Sequence, residues 1–259
     1  MNQSELRKIL SKLPLGDVRY FDSIGSTNDE ALAWAANDAK DLSLVIADEQ
    51  TSGRGRLERK WFTPRGTALA FSLILRPTAA EKPYLTRTVG LAACAVADSL
   101  RTRGLDALIK WPNDILLDGR KVTGILIETV WSGEEADCLV IGIGVNVMKA
   151  AVPSANLLQF PAISLEELLG PVIEREKLLG DILAGMIALR PHLRTDSFIA
   201  SWENSLAFRG EQVQVAEATG VPITGTLLGL ETDGSLRLSS EQGESITVRF
   251  GDVRLRPQA

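Results

Sequence analysis

Apolar residues recur along the chain with two spacings, one typical of helices and the other of buried strands. Spacings of three and four residues predict helices over 26–36, 86–103 and 176–190. Short runs of consecutive apolar residues predict strands over 42–47 and 69–75. Because helical and strand patterns alternate up to about residue 205, they indicate helices packed against a sheet.

The ends of the predicted helices carry recognisable signals. Thr27 and Glu30 have the spacing of a capping box, so we expect them to begin the first helix. Gly104 follows the second helical pattern as a stop, and the third pattern ends before Pro191.

The centre of the chain reads as strands. Asp118-Gly119 separates two apolar runs within residues 115–130, and this dipeptide is a strong signal for a two-residue hairpin turn. We therefore predict a β-hairpin here.

Residues 138–147 alternate and predict a further strand with two unlike faces. One face carries branched apolar side chains, whereas the other carries Gly142, Gly144 and Asn146. The open glycine face fits a planar ligand that Asn146 would hydrogen-bond, or equally a closely packed helix. The strand over 141–147 could also lie at the edge of the sheet and pair with the same strand of a second copy in a homodimer.

The pattern changes after about residue 207. Short strand-like runs are broken by turn signals at Thr219-Gly220, Asp233-Gly234 and Gln242-Gly243. This spacing predicts a small β-barrel. We divide the chain into a larger domain over 1–207 and a small domain over 208–259.

Composition and charge narrow the class of protein. A net charge of −5 over 259 residues argues against a nucleic-acid binder. Cys94 and Cys138 lie in apolar runs and are expected to be buried thiols, which suits a reducing compartment. The polar first residues lack a secretory signal, and no apolar run reaches the roughly 20 residues of a membrane helix. We expect a cytoplasmic protein without membrane contact.

Positive charge is concentrated in GRGRLERKW, residues 53–61. Gly53 and Gly55 make this backbone permissive, and arginine side chains match the planar geometry of carboxylates and phosphates. The segment fits a mobile loop that closes over an anion, but local physics also allows an ordinary solvated surface loop.

A second polar segment is KWPNDILLDGRK, residues 110–121. Its proline fixes a turn that presents Asn113 and Asp114, and Lys121 follows the hairpin and can point across it. Asp114 could orient the lysines or help hold Mg²⁺, or the segment could be a hairpin with ordinary charged residues. The single histidine, His192, follows a proline that ends a helix and is expected at the surface.

Four motifs in chain order resemble those of biotin–protein ligases. They are GSTN at 25–28, DEQTSGRGRLERKW at 48–61, KWPNDILLDGRKVTGILIE at 110–128 and IGIGVNV at 141–147. The resemblance implies an α+β catalytic domain with a mixed central sheet flanked by helices, the class II synthetase-like fold of biotin and lipoate ligases. It also implies a small C-terminal SH3-like β-barrel.

The resemblance implies an ATP-dependent enzyme of two steps. Biotin and MgATP would give biotinyl-5′-AMP and pyrophosphate, and a lysine of a biotin carboxyl carrier protein, a subunit of acetyl-CoA carboxylase, would then attack the adenylate. ATP and Mg²⁺ are the implied cofactors, and the carrier is the implied partner.

The resemblance also implies roles for individual residues. The implied biotin-binding residues are Ser26, Thr27, Asn28, Gln50, Gly53, Arg54, Gly55, Arg56, Lys121 and Gly124. The implied nucleotide-binding residues are Arg54, Arg56, Trp61, Lys121 and Asn146, and the implied catalytic residues are Arg56, Lys121 and Asp114.

The chain departs from the family pattern at two places, and two other functions stay open. Leu57 and Glu58 replace the arginine and glycine with which the family loop usually continues. The first motif begins at residue 25, so we expect a monofunctional ligase without the helix-turn-helix domain of bifunctional members. A lipoate–protein ligase and a non-catalytic binding module are the alternatives.

Overall fold

Helices and strands alternate along the protein, whose computed structural model describes residues 1–158, 160–216, 222–249 and 254–257. The α-helices of these residues are α1 (Gln3–Leu10), α2 (Thr27–Ala35), α3 (Thr88–Arg101), α4 (Leu165–Leu169), α5 (Arg175–Leu189) and α6 (Asp196–Asn204). Short 3₁₀ helices lie at Lys82–Arg87, Lys149–Ala151, Ala155–Leu157 and Arg190–His192. The strands are β1 (Val18–Phe21), β2 (Leu44–Ala47), β3 (Ala68–Leu75), β4 (Leu108–Lys110), β5 (Asp114–Leu117), β6 (Arg120–Ser132), β7 (Glu135–Asn146), β8 (Gln212–Ala216), β9 (Ile223–Leu230), β10 (Leu236–Ser239), β11 (Ser245–Val248) and β12 (Arg254–Pro257).

The larger sheet is mixed, as predicted. Its strand order is β1-β2-β3-β7-β6-β5-β4, with β1 parallel to β2 and every other neighbouring pair antiparallel. Helix α2 packs on one face of the sheet against β2, β3 and β7, and α3 covers the other face together with α5. Alternate side chains of β2 and β3 enter the two cores, which is why these strands read as continuous apolar runs. The α+β class is confirmed.

The start of α2 differs from the prediction. Ser26 is the N-cap and its hydroxyl accepts a hydrogen bond from the amide of Asp29 at 3.4 Å. Thr27 is the first residue of the helix, and Glu30 forms an ion pair with Arg19 at 2.6 Å. The predicted capping box of Thr27 and Glu30 was therefore wrong, because Ser26 fills the capping position one residue earlier.

Strand β7 lies inside the sheet. It pairs with β3 on one side and with β6 on the other, so residues 141–147 are not a sheet edge. Because both of its backbone edges already carry ladder hydrogen bonds, the interpretation of this strand as a surface for pairing between two copies was wrong.

The predicted central hairpin is present. Asp118 and Gly119 have φ angles of 48° and 68° and join β5 to β6. Two consecutive positive φ angles match a turn of the type that follows the twist of a hairpin. The turn brings the start of β6 across from β5, which carries Asp114.

The C-terminal part forms a separate antiparallel sheet of the SH3-like kind. Its strand order is β11-β10-β9-β8-β12. The predicted turns at Asp233-Gly234 and Gln242-Gly243 join β9 to β10 and β10 to β11. The turn predicted at Thr219-Gly220 lies outside the described residues, and the division of the chain after residue 207 stays a prediction.

One turn of the small sheet supports the larger one. Trp111 Nε1 donates a hydrogen bond to the carbonyl of Gly234 at 2.9 Å. Next to it, Arg87 Nε donates to the carbonyl of Thr232 at 2.7 Å, and Thr86 Oγ1 donates to the carbonyl of Asp233 at 2.8 Å. The turn therefore lies directly behind the segment that joins β4 to β5.

A matched pair of glycine substitutions tests this packing. Gly234 and Gly243 have φ angles of 85° and 83°, so alanine at either position is strained by about 1 kcal/mol. A Cβ at Gly234 would also lie 2.5 Å from the Trp202 ring, whereas one at Gly243 would meet no atom within 4 Å. We expect Gly234→Ala to lower the unfolding free energy by about 1–3 kcal/mol more than Gly243→Ala, measured by chemical denaturation. Equal losses would contradict the packing of this turn on Trp202.

Candidate active site

A cavity of about 760 Å³ opens on the face of the sheet where β5, β6 and β7 meet the loop over 53–61. Of the residues predicted as functional from the sequence, those that line it are Ser26, Thr27, Asn28, Gln50, Arg54, Gly55, Arg56, Trp61, Asp114, Lys121, Gly124 and Asn146. Gly53 lies at the root of the loop, where its carbonyl accepts a hydrogen bond from the amide of Trp61 at 2.8 Å. The four sequence motifs therefore converge on one site.

One wall of the cavity is a network of uncharged polar groups. The amide and hydroxyl of Thr27 lie 2.8 and 3.0 Å from Gln50 Oε1. Gln50 in turn donates to Thr63 Oγ1 at 3.2 Å. Ser72 Oγ, from β3, lies 2.8 Å from Thr27 Oγ1 and donates to Asn28 Oδ1 at 2.5 Å. These contacts fix hydroxyl and amide groups in place before any ligand arrives.

The arginine-rich loop is narrow at its root. Besides the bond between Trp61 and Gly53, the amide of Gly55 donates to the carbonyl of Arg59 at 2.7 Å. At the tip, Leu57 and Glu58 have φ angles of 59° and 57°. Such angles are costly for residues other than glycine, typically by about 1–2 kcal/mol each. The positions that depart from the family pattern are therefore the strained ones.

The two arginines of the loop have different surroundings. Arg54 donates to Glu128 through both terminal nitrogens, at 2.9 and 2.6 Å, and its Nη2 lies 2.7 Å from Asp29 Oδ1. The hydrogen bond to Glu128 is the main cause that raises the pKa of Arg54. Arg56 instead donates to Asn113 Oδ1 at 3.2 Å, which joins the loop to the turn before β5.

Asp114 sits between two lysines at the start of β5. Its carboxylate lies 2.6 Å from Lys121 Nζ across the hairpin and 3.5 Å from Lys110 Nζ at the end of β4. The Lys121 ammonium is also 5.5 Å from the centre of the Trp61 ring. The hypothesis that Asp114 orients lysines agrees with this geometry.

Burial and charge act against each other at Asp114. Burial alone would raise the pKa of its carboxyl, but Lys121 and then Lys110 outweigh it and hold the pKa below the ordinary value. Burial lowers the pKa of Lys110, and Asp114 opposes that shift only in part. The cluster therefore keeps an ionised carboxylate in an interior where charges interact strongly.

The glycine face of β7 lines the cavity, but side chains cover part of it. A Cβ at Gly142 would lie 2.1 Å from Asn28 Oδ1, and one at Gly144 would lie 2.3 Å from the Trp61 indole. The closely packed helix expected as one alternative is present at Gly142, where α2 supplies Asn28, and the loop supplies Trp61 at Gly144. The other alternative, a planar ligand on this face, stays a prediction. Asn146 follows on the same face and donates to the carbonyl of Ile163 at 3.2 Å.

The described residues hold no cluster of three or more histidine, cysteine or acidic side chains suited to a metal ion. Asp114 is engaged with two lysines, and Glu128 is engaged with Arg54. A metal ion that acts here is therefore expected to arrive with a ligand that supplies most of its oxygens.

Sequence reasoning missed several residues of the site. Glu128 closes the third motif, yet no local pattern places it beside Arg54. Ser72 lies in a continuous apolar run, where its spacing gives no signal. Lys110 was already among the lysines that Asp114 was expected to orient, and the structure places the two 3.5 Å apart on either side of the turn.

The chain is similar to proteins of known family. A model described as the biotin/lipoate A/B protein ligase family matches residues 20–146. The chain is 34% identical over 250 residues to the bifunctional ligase/repressor BirA of Bacillus spizizenii, covering 94% of this chain and 76% of that protein. It is 34% identical over 236 residues to a biotin–[acetyl-CoA-carboxylase] ligase of Paracoccus denitrificans, covering 85% and 93%.

A solved structure agrees with these similarities. The biotin protein ligase of Aquifex aeolicus, in complex with biotin and ATP, matches with a TM-score of 0.80 at 28% identity, over 93% of this chain and 99% of that one. In the described part of the chain, no helix has the length and apolar character needed to cross a membrane.

The Asp114 cluster predicts a dependence of stability on pH. A carboxyl whose pKa is lowered by folding stabilises the protein above its ordinary pKa, and this contribution is lost as the pH falls through the lowered value. We expect Asp114→Asn to lower the unfolding free energy at pH 7 by about 3 kcal/mol, because it leaves two partly buried lysines unpaired. Stability of the variant should then fall less steeply below about pH 4.

Asp98→Asn is the control, because Asp98 forms an exposed pair with Arg101 within α3. Its loss should stay below about 1 kcal/mol. Similar losses and similar acid profiles for the two variants would contradict the proposed burial of charge at Asp114.

Proposed function

Because the chain belongs to the biotin/lipoate A/B protein ligase family, we infer that it is a biotin–protein ligase. The enzyme activates biotin with ATP to biotinyl-5′-AMP and transfers the biotinyl group to a lysine of the carboxyl carrier protein of acetyl-CoA carboxylase. The observation that carries this conclusion is one cavity that combines a prearranged polar wall with Lys110, Lys121 and Arg56.

The polar wall suits the ureido ring of biotin. A ureido group offers two N–H donors and one carbonyl acceptor, so it needs both acceptors and donors at fixed positions. We propose that Ser26, Thr27, Asn28 and Gln50 supply them. Gly124 lies at the floor of the cavity. Any side chain there would crowd Trp61 and Lys121, because a Cβ would lie 3.0 Å from the Trp61 ring and 3.2 Å from Lys121 Nζ.

The cations suit the first chemical step. A carboxylate oxygen of biotin attacks the α-phosphorus of ATP, a bond to that phosphorus forms, and the bond to the departing pyrophosphate breaks. Two anions must therefore approach each other. We propose that Lys121 and Arg56 offset this repulsion and the charge that develops on the phosphate oxygens. Lys110 adds to the local positive charge.

Asp114 acts through the lysines in this proposal. Its carboxylate holds Lys110 and Lys121 on either side of the turn, so neither ammonium must be repositioned when substrates bind. Mg²⁺ enters as MgATP, with the phosphates as its principal ligands. Trp61 and Asn146 are proposed to contact the adenine, and the buried Trp61 Nε1 has no hydrogen-bond partner among the described residues.

The second step needs no further cofactor. The neutral amine of the carrier lysine attacks the acyl carbon of the adenylate, an amide bond forms as the amine releases a proton to solvent, and AMP leaves with the electrons of the broken bond. The mixed anhydride bond supplies the driving force. We propose a cytoplasmic location, where ATP and the carrier are available and where the free thiols of Cys94 and Cys138 stay reduced.

Mass measurement of a purified carrier domain tests the function directly. Incubation with the protein, biotin and MgATP should add the mass of one biotinyl group, and omission of ATP should abolish the gain. A parallel incubation with lipoate should leave the carrier unchanged. A carrier that gains lipoate but no biotin would overturn the proposed substrate, and an unmodified carrier would favour a non-catalytic binding protein.

Lys121→Ala should separate chemistry from binding. We expect adenylate formation to fall by about 10²–10³-fold, since the variant loses a cation fixed beside the reacting groups. Biotin affinity, measured without ATP, should change little because the polar wall is intact. Lys40→Ala is the control, since Lys40 forms an exposed pair with Asp17 outside the cavity. Wild-type adenylate formation by Lys121→Ala would contradict the role given to Lys121.

A further inference from the structure

The guanidinium of Arg54 forms ion pairs with two carboxylates, those of Asp29 and Glu128. Glu128, from β6, takes both terminal nitrogens in the bidentate arrangement that gives the strongest arginine–carboxylate pairs. Asp29, from the first turn of α2, shares Nη2 at 2.7 Å. The formal charge of these three side chains together is −1, from one cation and two anions, which is an unfavourable environment for a phosphate.

Glu128 also connects Arg54 to the polar wall. The same carboxylate accepts a hydrogen bond from Asn28 Nδ2 at 2.8 Å. Asn28 in turn accepts from Ser72, whose hydroxyl lies beside Thr27, the partner of Gln50. A continuous polar path therefore runs from the loop arginine to the groups that are proposed to hold the ureido ring.

Arg54 lies at the root of the loop, so its contacts can determine where the rest of the loop is placed. It follows Gly53 at the narrow root and pairs by a β-bridge with Lys60, where the chain leaves the loop. Arg56 lies two residues further out, toward the tip, and reaches Asn113. Arg54 is therefore placed to hold the root of a loop whose tip is expected to close over a ligand.

We propose that Arg54, Glu128 and Asp29 form a clamp that anchors the root of the loop, and that Arg54 is a positioning residue rather than a ligand of the phosphate. Arg54 then acts on the reaction through the placement of Arg56. This inference rests on the proposed function for its catalytic consequence, and it departs from the role that the family resemblance implies for Arg54.

Cleavage of the ligand-free protein tests the clamp without reference to catalysis. A glutamate-specific protease can cut after Glu58 at the loop tip, and neither Arg54→Gln nor Glu128→Gln alters that site. If the clamp holds the root, each variant should be cut after Glu58 about fivefold to tenfold faster than the wild type. The double variant should be cut no faster than Arg54→Gln, because Arg54→Gln already removes both ion pairs of the clamp and Glu128→Gln removes one of them.

Release of the adenylate gives the second readout and separates the two roles of Arg54. A positioning role predicts that Glu128→Gln and Arg54→Gln speed release of biotinyl-5′-AMP by a similar factor of about ten, again without addition in the double variant. A direct phosphate ligand would be freed by Glu128→Gln, so release would stay unchanged or slow down while Arg54→Gln sped it up. That second pattern would overturn the proposal.

Glu30→Gln is the matched control. Glu30 and Glu128 are 27% and 26% exposed, and each forms an ion pair at 2.6 Å, but the partner of Glu30 is Arg19, outside the loop. Glu30→Gln should leave cleavage and release at wild-type rates, and equal effects of the two variants would count against the clamp. If the wild type forms no adenylate, the proposed function fails, and the rates of cleavage after Glu58 still decide whether the clamp exists.

Discussion

The contact of Asp114 with Lys110 and Lys121 is the interaction on which the site depends. Each lysine comes from a different strand of one short hairpin system, and the carboxylate holds both within an interior that screens charge poorly. Without the carboxylate the two ammonium groups would repel each other. The carboxylate keeps both ammonium groups beside the cavity. The rest of the fold then needs to keep β4, β5 and β6 in register.

Several parts of the fold serve that register. Asn113 exchanges hydrogen bonds with Ile125 of β6 at 2.8 and 2.9 Å, which ties the turn before β5 to the neighbouring strand. Trp111, on the other side of the turn, is held by the carbonyl of Gly234 from the small sheet. The small sheet thus contacts the segment between Lys110 and Asp114 through a buried hydrogen bond to Trp111, and none of its described residues lines the cavity.

Most of the architecture could be predicted from the sequence because the strands and helices have strong local signals. The Asp118-Gly119 turn, the helices over Thr88–Arg101 and Arg175–Leu189 and the turns of the small sheet all carry such signals. Two features of β7 could not be decided from local patterns. The filling of the glycine face and the interior place of β7 depend on which segments meet in space, and no local pattern encodes that. The partners of Arg54 escaped prediction in the same way, since Asp29 and Glu128 are remote from it in sequence.

The rate of biotin-dependent exchange of pyrophosphate into ATP, measured with folded Asp114→Asn, tests most directly whether fixed lysines drive the first step. If Asp114 positions them, exchange should fall by about 100-fold relative to the wild type, while biotin affinity without ATP stays within about twofold. Exchange at the wild-type rate would contradict the account, because the lysines would then be effective without the carboxylate that holds them.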